Sequence, residues 1–308
     1  MTFFYRAAVA AYLLFAFSHS LSAQLPGGQT GVPGYSGPQR VALPETHPMP
    51  PAVPAQMTFA GEVIRFDRPD LIERMDRELI SFTYMHGNTT LMLKRSKRYF
   101  NLVTPILRKY GIPEDLKYLM AIESNLDPKA VSKAGAAGLW QFMKGTAHSY
   151  GLEVTSEVDE RYHAEKATAA ACRYLKEALG KYGDWMTVAA SYNAGQGGIS
   201  KRREDQRQKK AFDLWLPEET SRYMFRILAA KMLFENPELF GYRIPDDGFY
   251  PEFEIRHRVE VSGPVPSLVE MAAQYGTTYA RLKEANLWLR DNKLTNKAGK
   301  GYTILIPR

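Results

Sequence analysis

"AIESNLDPKAVSKAGAAGLWQF", residues 121–142, is the stretch on which the reading of this chain turns. An apolar run ends in a lone carboxylate, Glu123, and a small-residue loop then leads to Trp140 beside Gln141. Just upstream, "IPEDLKYLMAIES" (112–124) has Pro113 where a first helical residue suits proline. Glu114 and Asp115 favour the positive end of a helix dipole, and Leu116, Leu119, Met120 and Ile122 form a stripe to bury. The spacing predicts a helix over 113–124 that stops at Glu123. Asp127 is four residues further on, but Pro128 pushes it out of helical conformation, so it is no second acid on that face.

Both the negative helix end and the apolar neighbours Met120, Ala121 and Ile122 disfavour a charged Glu123, which should raise its pKa. A carboxylic acid that stays protonated near neutrality can donate to a leaving oxygen. These residues alone leave a second reading open, an ordinary helix-end glutamate in water. Gly135 and Gly138 give a backbone that a ligand can approach closely. Trp140 offers a flat apolar face of the kind that stacks on sugar rings, and Gln141 brings a donor and an acceptor. Further on, "ASYNAGQGG" (190–198) joins a helix end to another small-residue loop and carries Tyr192 and Asn193.

Outward from this centre, apolar spacing predicts helices over 69–84, 89–110, 164–181, 184–194 and 218–235, with regular structure starting near residue 60 and no strand before residue 250. The middle of the chain reads as mainly α. The period then changes. "FEIRHRVEV" (253–261) alternates as a half-buried strand, Leu268, Met271, Ala272 and Tyr275 mark a short helix stopped by Gly276, a second helix covers 278–286, and "YTILIP" alternates again. That is a strand–helix–helix–strand module.

At the other end, Arg6, the apolar run Ala7–Phe17 and the small residues Ser18 to Ala23 have the layout of a secretory leader cleaved after Ala23; the run is short for a membrane anchor. From Gln24 to Pro54, 8 of 31 residues are proline and 5 are glycine, a composition that favours an extended tether over a packed core. Cys172 is the single cysteine, so no internal disulfide can form; it sits in a helical pattern as a small core residue. The six histidines are scattered without ligand spacing, and neither a metal nor another cofactor is expected. A net charge of +7 suits a polyanionic partner. The densest cluster, "KRREDQRQKK" (201–210), reads first as a solvated helix or loop face, and no nucleic-acid motif accompanies it.

Four signatures stand in order: Glu123-Ser124; Gly138-Leu139-Trp140-Gln141; Ala190-Ser191-Tyr192-Asn193-Ala194-Gly195; and "LPEETSRYM" (216–224), with Glu219, Thr220 and Tyr223. Ser132 lies nine residues beyond Glu123, and "VDERYHAEKATAAACRYL" (158–175) has the look of a supporting helix. Together they resemble the lytic transglycosylases of the soluble-type, lysozyme-like superfamily, most closely the membrane-bound transglycosylase D branch, over roughly residues 65–240. The resemblance implies a mainly α lysozyme-like domain that cleaves the MurNAc–GlcNAc β-1,4 bond of peptidoglycan without water. Glu123 would be acid and then base, giving a 1,6-anhydro product. It implies further that Tyr192 and Asn193 lie against the reacting sugar and that Tyr223 orients Glu123. Ser124, Ser132, Gly138, Trp140 and Gln141 would be substrate-binding, although core packing stays open for Trp140 and Tyr223.

The tail resembles a LysM repeat through Leu268, Ala272, Tyr275-Gly276, Leu282, Asn286 and the closing "ILIP". It departs from that pattern at "SGPVPSL" (262–268) and "RDNKLTNKAGKG" (290–301), in the loop expected to touch ligand, so glycan binding by the module stays open. The expected organisation is a leader (1–23), a Pro/Gly-rich disordered linker (24–60), the lysozyme-like domain (61–248) and an α+β LysM-like domain of βααβ order (252–308). The expected setting is the periplasm or cell envelope, with peptidoglycan strands as partner, no nucleic acid, and no stable membrane anchor once the leader is removed. Two other readings stand beside this one, a goose-type muramidase that uses water and a catalytically inactive cell-wall-binding protein.

Overall fold

In a computed structural model, residues 48–308 are described; the expected leader and residues 24–47 of the expected linker lie outside them. The first regular element is not a helix. Strands β1 (Gln56–Phe59) and β2 (Glu62–Arg65) form an antiparallel hairpin, which corrects both the expectation of no strand before residue 250 and the extension of the linker to residue 60. Its turn, Ala60-Gly61, has φ of 52° and 83°, the pair of left-handed residues that a tight hairpin needs. Alanine is a poor signal for that geometry. A tertiary contact holds it there, because the Ala60 N–H donates to Asp115 Oδ2 at 2.7 Å. Phe59, Ile64 and Phe66 then bury against the helical core.

The helices that follow are α1 (Pro69–Tyr84), α2 (His86–Lys109), α3 (Leu116–Ser124), α4 (Lys144–Ser149), α5 (Ala164–Tyr182), α6 (Trp185–Ala194), α7 (Gln196–Gln206) and α8 (Glu218–Glu235). Two of them, α4 and the polar α7, had no apolar stripe to announce them; Ile199 is the one buried residue of α7. Helix α3 starts at Leu116 rather than Pro113. Residues 113–118 are closed by the tighter i→i+3 bonds Leu116 N–H to Pro113 O (3.1 Å) and Lys117 N–H to Glu114 O (3.0 Å). Asp115 is drawn away from the helix dipole, since it takes the Ala60 amide and pairs with Lys231 at 2.9 Å.

The core is built from α3, α5, α6 and α8, wrapped by α1 and α2, and its middle is nearly dry: Leu116, Leu119, Met120, Leu175, Val188, Phe225 and Leu228 are all fully buried. Cys172 lies inside it, its thiol pushed up to about 12 by burial, as suits a packing residue. The tail has the expected βααβ order, with β3 (Ile255–Val261), α9 (Leu268–Gln274), α10 (Tyr279–Ala285) and β4 (Tyr302–Pro307). Strands β3 and β4 pair antiparallel with Val259 opposite Ile304. Asn286 is fully buried yet satisfied, donating to Leu282 O and Leu305 O and accepting from Leu305 N–H.

Candidate active site

Helix α3 stops where the sequence suggested. Asn125 and Leu126 both take left-handed backbone (φ 50° and 54°), Leu126 drops into the core, and Glu123 is left in the last turn. The carboxyl is half-buried, and the Tyr223 hydroxyl donates to Oε1 at 2.5 Å. Loss of hydration dominates its chemistry and pushes the pKa up to about 7. The Tyr223 bond and the positive charge of Arg226 pull the other way, and Glu219 adds to the rise. Arg226 is itself shared, because the buried Glu78 lies 4.0 Å from it while holding Arg222 at 2.6 Å. Asp127 is turned off the helix, accepts the Lys129 N–H and faces Arg95 at 3.6 Å.

Tyr192, from the end of α6, lies within electrostatic reach of the same acid. Burial and then the Glu123 charge hold its hydroxyl well above the usual phenol range. Its hydroxyl donates to Trp140 O at 2.7 Å, and its ring packs edge-on to Tyr174 at 5.1 Å between centroids. The neighbouring Asn193 accepts from the Thr220 hydroxyl at 2.8 Å, which joins the end of α6 to the first turn of α8. Glu123, Tyr192 and Tyr223, more than 30 residues apart in sequence, are thus brought together, and Asn193 is held beside Thr220 at the rim.

In the loop 130–142, and at Ser124 before it, the expected substrate-binding side chains are largely engaged by the protein itself. Trp140 presents no face to a ligand: it is 0% exposed, with its indole N–H donated to Thr168 Oγ1 at 2.9 Å. Gln141, at φ 48°, spends its amide on the loop itself, donating to Ala130 O (3.1 Å) and Gly138 O (2.8 Å). Gly138 is needed for the protein's own packing: a Cβ there would lie 2.0 Å from Arg161 O, and its φ is 77°. Ser124 is buried, its hydroxyl turned back to Met120 O. Ser132 is exposed, and its Oγ accepts the Ala136 N–H at 3.0 Å.

Sequence reasoning missed two residues. Trp215 is 83% exposed between the buried Leu214 and Leu216, and its backbone is clamped at both ends by Gln206, N–H to Oε1 at 2.7 Å and C=O from Nε2 at 3.0 Å. An indole offered to solvent on a fixed backbone is the surface once expected of Trp140; an alternation over three residues was too short a signal to find it. Arg161 is the other. It pairs with Asp159 at 2.7 Å and donates to Gly135 O (2.8 Å) and Phe142 O (3.1 Å), tying both ends of the loop. Among the described residues no cluster of histidine, cysteine, aspartate or glutamate could hold a metal, and no helix is long and apolar enough to cross a membrane.

A helical domain with a glutamate bonded by Tyr223 at a helix end is followed by a βααβ module, and both parts match known families. Residues 103–215 match the transglycosylase SLT domain, and residues 257–308 match the soluble lytic transglycosylase C-terminal LysM-like domain. The chain therefore carries an SLT transglycosylase domain and a C-terminal LysM-like domain, and it is homologous to membrane-bound lytic murein transglycosylase D. It is 29% identical to that protein from Escherichia coli over 258 residues, 81% of this chain and 55% of the relative, so it spans about half that protein's length. It is 36% identical over 121 residues to peptidoglycan transglycosylase gp16 of Escherichia phage T7, which is 38% of this chain and 9% of the relative. Among solved structures it is similar to an inactive mutant of lytic transglycosylase Slt from Pseudomonas aeruginosa, with TM-score 0.38 and 21% identity over 49% of this chain and 26% of the other.

Proposed function

We propose that this protein is an exported peptidoglycan lytic transglycosylase that cleaves the MurNAc–GlcNAc β-1,4 bond without water. The observation that carries the reading is the Glu123 carboxyl at the end of α3 with the Tyr223 hydroxyl on one of its oxygens, in surroundings whose burial pushes its pKa up to about 7. In the reaction Glu123 gives its proton to the glycosidic oxygen as the bond to C1 breaks. The Glu123 carboxylate then takes the proton of the MurNAc 6-hydroxyl as that oxygen bonds to C1, which yields the 1,6-anhydro ring and restores the acid. No second carboxylate is required, because the substrate supplies the nucleophile that a glycosidase pair would otherwise generate.

The neighbouring residues divide the remaining work. Tyr223 fixes the carboxyl and stabilises its ionised form. Tyr192, pinned to Trp140 O, faces the charge that develops on the sugar ring, and Asn193 and Ser132 supply polar contacts at the rim. Trp215 provides the apolar platform for a more distant sugar. Residues 1–23 act as the export leader, and the substrate strand lies in the cell envelope.

Mass spectrometry of products from digested sacculi tests the reaction. Anhydro-MurNAc ends, one water lighter than reducing ends, are expected. Reducing ends alone would assign the fold to muramidase chemistry instead, and no soluble product at all would assign it to wall binding.

A further inference from the structure

The C-terminal module does not hang free of the catalytic domain. Val158, a residue of the helical domain, is 2% exposed inside the module's own core, beside Leu268, Leu282, Trp288, Leu289 and Ile304. The segment around it is stitched to the module's α10–β4 loop. Asp159 N–H donates to Trp288 O and Arg290 N–H to Glu157 O, both at 2.8 Å, and the Glu157 carboxylate receives the amide and hydroxyl of Thr295. Glu153 accepts from Tyr302 at 2.9 Å and Lys300 at 3.0 Å, and the Arg290 guanidinium lies over the Tyr162 ring at 4.2 Å. Loop 290–301 was expected to touch ligand; its edge at Arg290 and Thr295 is taken by the chain's own residues.

From that grip a short chain of contacts leads to the acid. Two residues after Asp159 stands Arg161, whose guanidinium is nearly buried, pairs with Asp159, and holds Gly135 O and Phe142 O. The Arg161 carbonyl rests where a Cβ of Gly138 would be. Within the loop so held, Trp140 O receives the Tyr192 hydroxyl, and Tyr192 lies within electrostatic reach of Glu123. The links are the buried Val158 plug, backbone and side-chain hydrogen bonds, the Arg161–Asp159 ion pair and, at the last step, the Glu123 charge felt by Tyr192.

We propose that the C-terminal module is a fixed wall of the catalytic domain, and that Arg161 is the positioning residue through which its grip on residues 157–159 holds loop 130–142 and Tyr192 in register with Glu123. The inference rests on the proposed transglycosylase reading for its consequence in turnover, but the coupling itself is a property of the fold.

The test uses the full chain and two readouts, hydrogen exchange by mass spectrometry and release of anhydro-muropeptides from sacculi. Glu157→Ala combined with Thr295→Ala loosens the grip at the surface, Val158→Ala thins the plug, and Arg161→Ala and Arg161→Lys cut and partly restore the link to loop 130–142. Loosening the grip should speed exchange of the 130–142 peptide about 10-fold while peptides of α2 and α8 are unchanged. Arg161→Ala should lower kcat about 10-fold with KM altered less than about twofold, since it shifts geometry and not binding, and Arg161→Lys should recover part of it. Unchanged exchange at 130–142 in both the grip and plug variants would overturn the proposal. If the wild type released no anhydro products, the reaction assignment would fall, and the exchange comparison would still decide the coupling.

Discussion

The Tyr223 hydroxyl donates to Glu123 Oε1 at 2.5 Å across 100 residues of sequence, and this bond lowers the pKa of a carboxyl that burial raises. Removing the hydroxyl should therefore move the acid further up. In Tyr223→Phe the alkaline limb of the pH–rate profile is expected above its wild-type position near pH 7, with kcat lowered roughly 10- to 100-fold because the carboxyl loses its orientation. A limb that moved down or stayed in place would mean that the hydroxyl does not govern this proton.

Glu123→Gln should abolish release of soluble products while sacculus binding persists. It also carries a stability signature. The folded state holds a proton on Glu123 that the unfolded chain gives up, so wild-type stability falls as pH rises from 4.5 to about 7. The glutamine variant has no such fall. Its advantage over wild type in urea unfolding should open between pH 4 and pH 8 towards a limit on the order of 3 kcal/mol. A gap independent of pH would place the Glu123 pKa in the ordinary carboxylate range.

Trp215→Ala should leave the melting temperature unchanged, since the indole supports nothing, and weaken sacculus binding roughly 3- to 10-fold, the worth of about 1 kcal/mol of stacking. Trp215→Tyr should retain most of the affinity. Trp140→Ala is expected to do the reverse of a surface change: it empties a fully buried indole site and should cost about 3–5 kcal/mol of stability. Equal behaviour of the two variants would contradict the division of labour between them.

Gly138→Ala tests the close approach of loop to loop. The added methyl meets Arg161 O at 2.0 Å, and the residue must keep a φ of 77°. A loss of at least about 2 kcal/mol, read from chemical unfolding, is expected. A loss under about 0.5 kcal/mol would show that residues 138 and 161 separate at little cost.

Much of the architecture was legible. Helices α1, α5, α6 and α8 and the βααβ order follow from hydrophobic period, because a stripe or an alternation is written locally. The position of Glu123 was legible for the same reason: the apolar stripe of α3 runs up to it, and Pro128 keeps Asp127 from serving as a second acid on that face. The hairpin 56–65 was not legible, since its Ala60-Gly61 turn depends on Asp115, 55 residues away.

The sequence by itself determined the lone acid at the end of α3, the two small-residue loops, and the module that closes the chain. Only the tertiary structure decided which aromatic faces solvent. Trp140 and Trp215 are the same residue type beside similar neighbours, and burial by Thr168 and Tyr192 on one side, against a Gln206 clamp on open surface on the other, separates them. It also decided that the module is docked, because Glu157 and Asp159, which flank the buried Val158, bond Arg290 and Trp288 on a segment more than 100 residues away. Local pattern sets which face of an element is apolar. Which partner covers that face is a long-range property of the packed chain.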